Sequence, residues 1–121
     1  FDAGRDDIRA VVGVAHSNGV KVKVIQESVL LTLDQVARAC EISREAGADF
    51  VKTSTGFNST PATPEIVEVM IRTVGGTMGV KPSGGIRDWA TAVAYLNQGA
   101  DRLGVGSTKA VLEGGKADEN Y

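Results

Sequence analysis

The tripeptide Gly-Ala-Asp occurs twice, as Gly47-Ala48-Asp49 and Gly99-Ala100-Asp101, and each copy separates a stretch with helical apolar spacing from a short aliphatic run. A glycine that ends a helix just before a strand is a βα-unit signature. Strand-like runs begin near residues 20, 49, 78 and 102: Val20-Lys21-Val22-Lys23-Val24-Ile25, Asp49-Phe50-Val51-Lys52-Thr53, Met78-Gly79-Val80-Lys81 and Arg102-Leu103-Gly104-Val105. Their spacing of roughly 25–30 residues is that of one strand plus one helix. Helical spacing fills the intervals. Ile8, Val11, Val12 and Val14 precede the first strand. Thr32-Leu33-Asp34-Gln35 reads as a capping box before Val36, Ala37, Cys40 and Ile42. Thr63-Pro64-Glu65 opens a third helix, Asp88 caps a fourth, and Ser107 to Leu112 fits a last short one. Repeated βα units predict a parallel sheet covered by helices. Periodicity leaves two architectures open: a doubly wound sheet, or four units of a (β/α)8 barrel, which needs about 250 residues when complete.

The rest of the composition excludes function classes. The chain has 121 residues with net charge −2, so the basic footprint of a nucleic-acid binder is missing. No apolar run approaches the roughly 18 residues of a membrane span, and the charged start predicts no signal peptide. A single cysteine, Cys40, precludes an internal disulfide and fits a reducing cytoplasm. The first residue is Phe1 rather than Met, as expected of a fragment or a processed product.

Chemistry-bearing residues collect just after the strands: Gln26-Glu27-Ser28, Lys52-Thr53-Ser54-Thr55-Gly56, Lys81-Pro82-Ser83-Gly84-Gly85 and Gly104-Val105-Gly106-Ser107-Thr108. In parallel α/β folds ligands bind at the carboxyl ends of strands. A lysine there can attack a carbonyl once neutral, and a second ammonium nearby favours the neutral form by like-charge repulsion. Lys52 and Lys81 on neighbouring strands would form that pair. The competing reading is that they snorkel outward along apolar surface. Gly84-Gly85 and the run from Gly104 to Ser107 fit either an oxyanion cradle or ordinary positive-φ turns. Glu27 is a candidate acid or base, or a lysine's ion-pair partner. His16 is the only histidine and lies at a helix end, so a serine–histidine hydrolase is not expected; a lysine-activated hydroxyl among Ser54, Thr55, Ser107 and Thr108 stays open.

The runs Val51-Lys52-Thr53-Ser54-Thr55-Gly56-Phe57, Val80-Lys81-Pro82-Ser83-Gly84-Gly85-Ile86-Arg87 and Gly99-Ala100-Asp101-Arg102-Leu103-Gly104 together resemble the deoxyribose-phosphate aldolase family, as does Lys23-Val24-Ile25-Gln26-Glu27-Ser28 ahead of them. The resemblance implies that residues 1–121 form a single (βα)4 domain, the C-terminal half of a (β/α)8 barrel with four parallel strands. It implies a class I aldolase without metal or cofactor that reversibly cleaves 2-deoxyribose 5-phosphate to glyceraldehyde 3-phosphate and acetaldehyde. Lys52 matches the family's Schiff-base lysine and Lys81 the second lysine that activates it. Lys23 matches a further lysine lining the site. Gly56, Gly84, Gly85 and Ser107 match positions near the substrate phosphate, and Tyr121 resembles a C-terminal tyrosine that assists proton transfer at the enamine carbon. Two departures stand out. The strand bearing the family's proton-shuttling aspartate lies outside the match, and Gly106 stands where many members carry the first serine of a Ser-Ser pair. A half barrel would leave two sheet edges and an inner face open, so a homo-oligomer of facing halves is expected. The alternative functions are an esterase-like hydrolase re-using the strand-end pocket, or a non-catalytic phosphosugar-binding or assembly fragment.

Overall fold

The capping residues start the helices where their chemistry requires. In the computed structural model, which describes residues 1–57 and 61–115, α1 spans Asp2–Ser17, β1 Lys23–Ile25, α2 Leu33–Glu45, β2 Phe50–Lys52, α3 Pro64–Val74, β3 Gly79–Lys81, α4 Trp89–Gln98 and α5 Thr108–Leu112. The capping box closes both ways at α2: Thr32 Oγ1 accepts from Gln35 N–H at 3.2 Å, and Gln35 Oε1 accepts from Thr32 N–H at 2.9 Å. Thr63 caps α3 through Ile66 N–H, and Asp88 caps α4 through Thr91 N–H.

The strands pair in parallel in the order β1-β2-β3, with Lys23 opposite Phe50, Val51 opposite Val80 and Lys52 opposite Lys81. The expected fourth strand takes its place beside β3 without becoming a regular strand. Ser83 and Gly104 form one parallel bridge, Gly104 N–H donates to Pro82 O at 2.8 Å, and Asp101 and Arg102 N–H both converge on Val80 O.

The repeated tripeptide performs one task twice. Gly47 and Gly99 end their helices at φ 89 and 119, values costly for a residue with a Cβ. Ala48 and Ala100 are buried behind them. Asp49 Oδ2 then accepts Val22 N–H at 2.7 Å while Asp49 and Phe50 N–H return to Val22 O. Asp101 Oδ2 accepts Val80 N–H at 2.9 Å while Asp101 and Arg102 N–H return to Val80 O. Each aspartate thus locks the incoming segment onto the strand before it.

Alternation along the strands separates two faces. Val51 and Val80 are fully buried against the helices, with Val12, Val36, Cys40, Val69, Met70 and Val74 around them. A second cluster joins Val67, Ile86, Ala92, Tyr95 and Val111, and Ile71 of α3 packs against both. The opposite face carries Lys23, Ile25, Phe50, Lys52, Gly79 and Lys81. A methyl group on Gly79 would run into the Phe50 ring, so glycine lets that ring lie over the sheet.

Two expectations follow. Hydrogen bonds from His16, then from Val22 N–H, hold the Asp49 carboxyl below the usual aspartate range. Such a carboxylate stabilises the fold above its unfolded value of about 3.9, and the contribution is lost as pH falls through the lower folded value. Urea titrations of Asp49→Asn at descending pH should therefore show a flatter acid limb than the parent chain; parallel curves would refute the clamp. At Gly104 a Cβ would press on Ser83 Oγ and lie 2.8 Å from Ser83 Cβ. Gly104→Ala should cost about 1–3 kcal/mol, read by thermal unfolding, because the fourth segment has to move off β3.

Candidate active site

The lysines of the three strands, Lys23, Lys52 and Lys81, share the face turned away from the helices. Because Lys52 and Lys81 are Cα partners on adjacent parallel strands, both side chains leave the sheet on the same side, at its carboxyl end. Both are half-buried. Ile25 is the partner of Lys52 on its other side. Lys23 stands one pleat earlier on β1. Partial burial of its ammonium, and then the charge and contact of Lys81 and the charge of Arg102, hold Lys23 below the ordinary lysine range, although the residue as a whole is exposed. Lys81 thus approaches the lysine of β1 as well as the neighbour on β2 that the sequence pairs it with. Arg102 also lies over Phe50, 4.3 Å from the ring centroid, with the Lys21 ammonium 6.0 Å away.

The Thr53, Ser54 and Ser28 hydroxyls beside the lysines are held by backbone, whereas Ser83 Oγ, buried with them, has no hydrogen-bond partner among the described residues. Ser83 N–H donates to Thr53 Oγ1 at 3.0 Å, Thr53 Oγ1 lies 3.0 Å from Ser54 Oγ, and Ser54 Oγ donates to Ser83 O at 3.0 Å. This ring of bonds closes on one residue and joins the ends of β2 and β3. Ser28 Oγ and Ser28 N–H both donate to Thr53 O, which ties in the end of β1. Ser28, Thr53, Ser54 and Ser83 are all buried. Such hydroxyls satisfy strand ends that would otherwise leave polar groups buried without partners. His16 bonds Asp49 at the amino ends of the strands, away from this web. The single histidine is therefore not placed to activate a hydroxyl of this web.

Sequence reasoning missed one device at this edge. Glu27 has φ 49 and ψ 56, the only positive φ outside glycine among the described residues. That conformation costs an L-residue about 1–2 kcal/mol. It directs the carboxylate to Thr55, whose N–H donates to Oε1 at 3.2 Å and whose hydroxyl donates to Oε2 at 2.8 Å. Thr55 Oγ1 in turn accepts Phe57 N–H at 3.2 Å. The sequence places Glu27 at a strand end but carries no signal for its left-handed backbone.

The remaining expected residues take these positions. Gly56 turns at φ 91, and Gly84 and Gly85 turn at φ 88 and 74. A Cβ on Gly84 would come within 3.2 Å of Pro61 Cα and one on Gly85 within 2.7 Å of Pro61 Cβ, so the pair also admits the segment entering α3. Ser107 precedes α5 and its side chain makes no capping bond. Tyr121 lies outside the described residues. A broad hollow of about 600 Å³ opens at the opposite, amino end of the strands, lined by Lys21, Arg44, Asp49 and Asp101 among others, and takes in none of the expected site residues.

Residues 5–112 match the DeoC/LacD family aldolase. The chain is 49% identical over 119 residues to the deoxyribose-phosphate aldolase of Thermococcus gammatolerans, covering 98% of this chain and 53% of that protein. It is 51% identical over 115 residues to the enzyme of the same name from Geobacillus, covering 95% and 51%. Among solved structures, the deoxyribose phosphate aldolase of Aeropyrum pernix, described as a unique tetramer, superposes with a TM-score of 0.82 at 39% identity, covering 90% of this chain and 47% of that one. The chain spans about half the length of the curated relatives it matches, and the architecture common to both is a parallel α/β portion of the aldolase barrel. With its sheet, its strand-end lysines and this family match taken together, the chain belongs to the DeoC/LacD family of aldolases.

Proposed function

We propose that this chain carries the imine-forming half of a class I aldolase site, with Lys52 as the nucleophile and 2-deoxyribose 5-phosphate as the substrate cleaved. The observation that carries the reading is the pairing of Lys52 with Lys81 in register, on the face away from the core. The neutral Lys52 amine attacks the substrate's C1 aldehyde, and loss of water gives an iminium ion. Removal of the C3 hydroxyl proton breaks the C2–C3 bond. It releases glyceraldehyde 3-phosphate, and the electron pair stays on C2 as an enamine. Protonation at C2 and hydrolysis then free acetaldehyde and the amine. Lys23, Lys81 and Arg102 gather positive charge on this face, and Lys23 is held below the ordinary lysine range, first by partial burial and then by Lys81. Lys81 is the nearest candidate to exchange protons with the bound carbon skeleton. The turns at Gly56 and Gly84-Gly85, with Ser107, are proposed to receive the phosphate.

The same face suggests how the site is enclosed. Ile25 is 45% exposed on it, and among the described residues β1 is an edge strand of the three-stranded sheet. In the working enzyme a second copy of the chain is proposed to cover this face.

Borohydride reduction in the presence of acetaldehyde should leave an ethyl group on Lys52, located by peptide mass spectrometry; label elsewhere, or none, would count against Lys52. Lys81→Met should slow trapping at neutral pH by at least about 100-fold, the lower range for losing a general acid–base group. Sedimentation should give a species heavier than the 12.6 kDa chain, and a monodisperse monomer would rule out the second copy.

A further inference from the structure

Glu27 holds a strained backbone at the end of β1, where bonds other than those of its carboxylate already join the strands. The ends of β1 and β2 are already joined by Gln26 N–H to Lys52 O at 3.0 Å, and by Ser28 N–H and Ser28 Oγ to Thr53 O at 2.8 and 3.0 Å. The Glu27 carboxylate reaches past these bonds to Thr55, three residues after Lys52, taking both its N–H and its hydroxyl. Through Thr55 Oγ1 it also fixes the N–H of Phe57, a residue 91% exposed and outside any core. Farther along the chain, Pro61 packs against Gly84 and Gly85, and Ala62 N–H donates to Ser83 O at 3.1 Å. Thr55 and Phe57 are therefore held by Glu27, and Pro61 and Ala62 lie against the residues that follow β3. Strained non-glycine residues persist where the surroundings enforce them, and they recur at functional positions.

We propose that Glu27 is a positioning residue. Its carboxylate sets the Thr55-Gly56-Phe57 turn as a wall beside Lys52 that receives the hydroxyl- and phosphate-bearing end of the substrate. The inference rests on Lys52 being the imine lysine, and it deepens that reading by dividing the site into two parts. A two-carbon aldehyde needs the lysine alone. A phosphorylated sugar needs the turn as well.

The test uses Glu27→Gln and Glu27→Gly in the whole chain, with borohydride trapping of acetaldehyde and of 2-deoxyribose 5-phosphate, melting temperature, and hydrogen exchange at the Thr55 and Phe57 amides. Glycine relieves the left-handed strain while deleting the carboxylate, so its melting temperature should hold or rise. In both variants the Thr55 and Phe57 amides should exchange about tenfold faster, as loss of a bond to a charged acceptor predicts. The deoxyribose 5-phosphate concentration giving half-maximal trapping should rise by a similar factor, about tenfold, and that for acetaldehyde should stay unchanged. Glutamine, which keeps the shape and one acceptor oxygen, should lose less than glycine. Equal loss with both probes, or a lowered melting temperature in Glu27→Gly, would make Glu27 a structural residue and overturn the proposal. Unchanged trapping of both probes in both variants would overturn it alone. A parent chain that traps neither probe at Lys52 would overturn the imine reading and this inference with it.

Discussion

The whole arrangement depends on two aspartate clamps. A parallel sheet has no hairpins to fix its register, so each strand must be aligned by contacts made after a long excursion through a helix. Asp49 supplies that alignment for β2 on β1 and Asp101 for the fourth segment on β3, with the same set of bonds: a carboxylate on the N–H of one residue, and two successive N–H groups on its carbonyl. The valines at these points, Val22 and Val80, alternate with the lysines along their strands. Fixing the one fixes the direction of the other. The hydroxyl web at the carboxyl ends then repeats the alignment from the far side, so the short strands are held at both ends.

That arrangement separates charge from core with little material between. One face of the sheet is valine against helices, and the other carries Lys23, Lys52 and Lys81, with Lys21 and Arg102 against Phe50, in a chain whose net charge is −2. Phe50 makes this tolerable. Its ring covers the sheet where Gly79 has no side chain, and it offers an aromatic surface to two cations. The local excess of positive charge is a property of the strand face alone.

Much of this was legible in the sequence because local rules generate it. The capping box at Thr32, the proline start of α3 and the Asp88 cap are readable from neighbouring residues, and all three are present. The βα spacing gave the parallel sheet, and the pairing of the two lysine runs pointed to the aldolase family. What was not legible depends on residues 21 to 30 positions apart. The fourth segment looks like a strand, yet it meets β3 through a single bridge, Ser83 with Gly104. Ser54 and Thr55 read as possible nucleophiles and Gly84-Gly85 as a cradle or a turn, because a hydroxyl's role is decided by the group it faces, and that group lies on another strand. The left-handed backbone of Glu27 has the same origin: its carboxylate finds Thr55 only after the sheet has formed.

The alternation within β2 has a further consequence. Val51 is completely buried and Lys52 emerges on the opposite face, one residue later. A slip of β2 by a single residue would exchange them, driving an ammonium among Val36, Met70 and Val74 and stranding a valine among the lysines. An unpaired charge in such a core is among the costliest errors a chain can make. The reactive amine therefore acts as a proofreader of the fold: misassembly of the sheet is penalised by the same group whose exposure the chemistry requires.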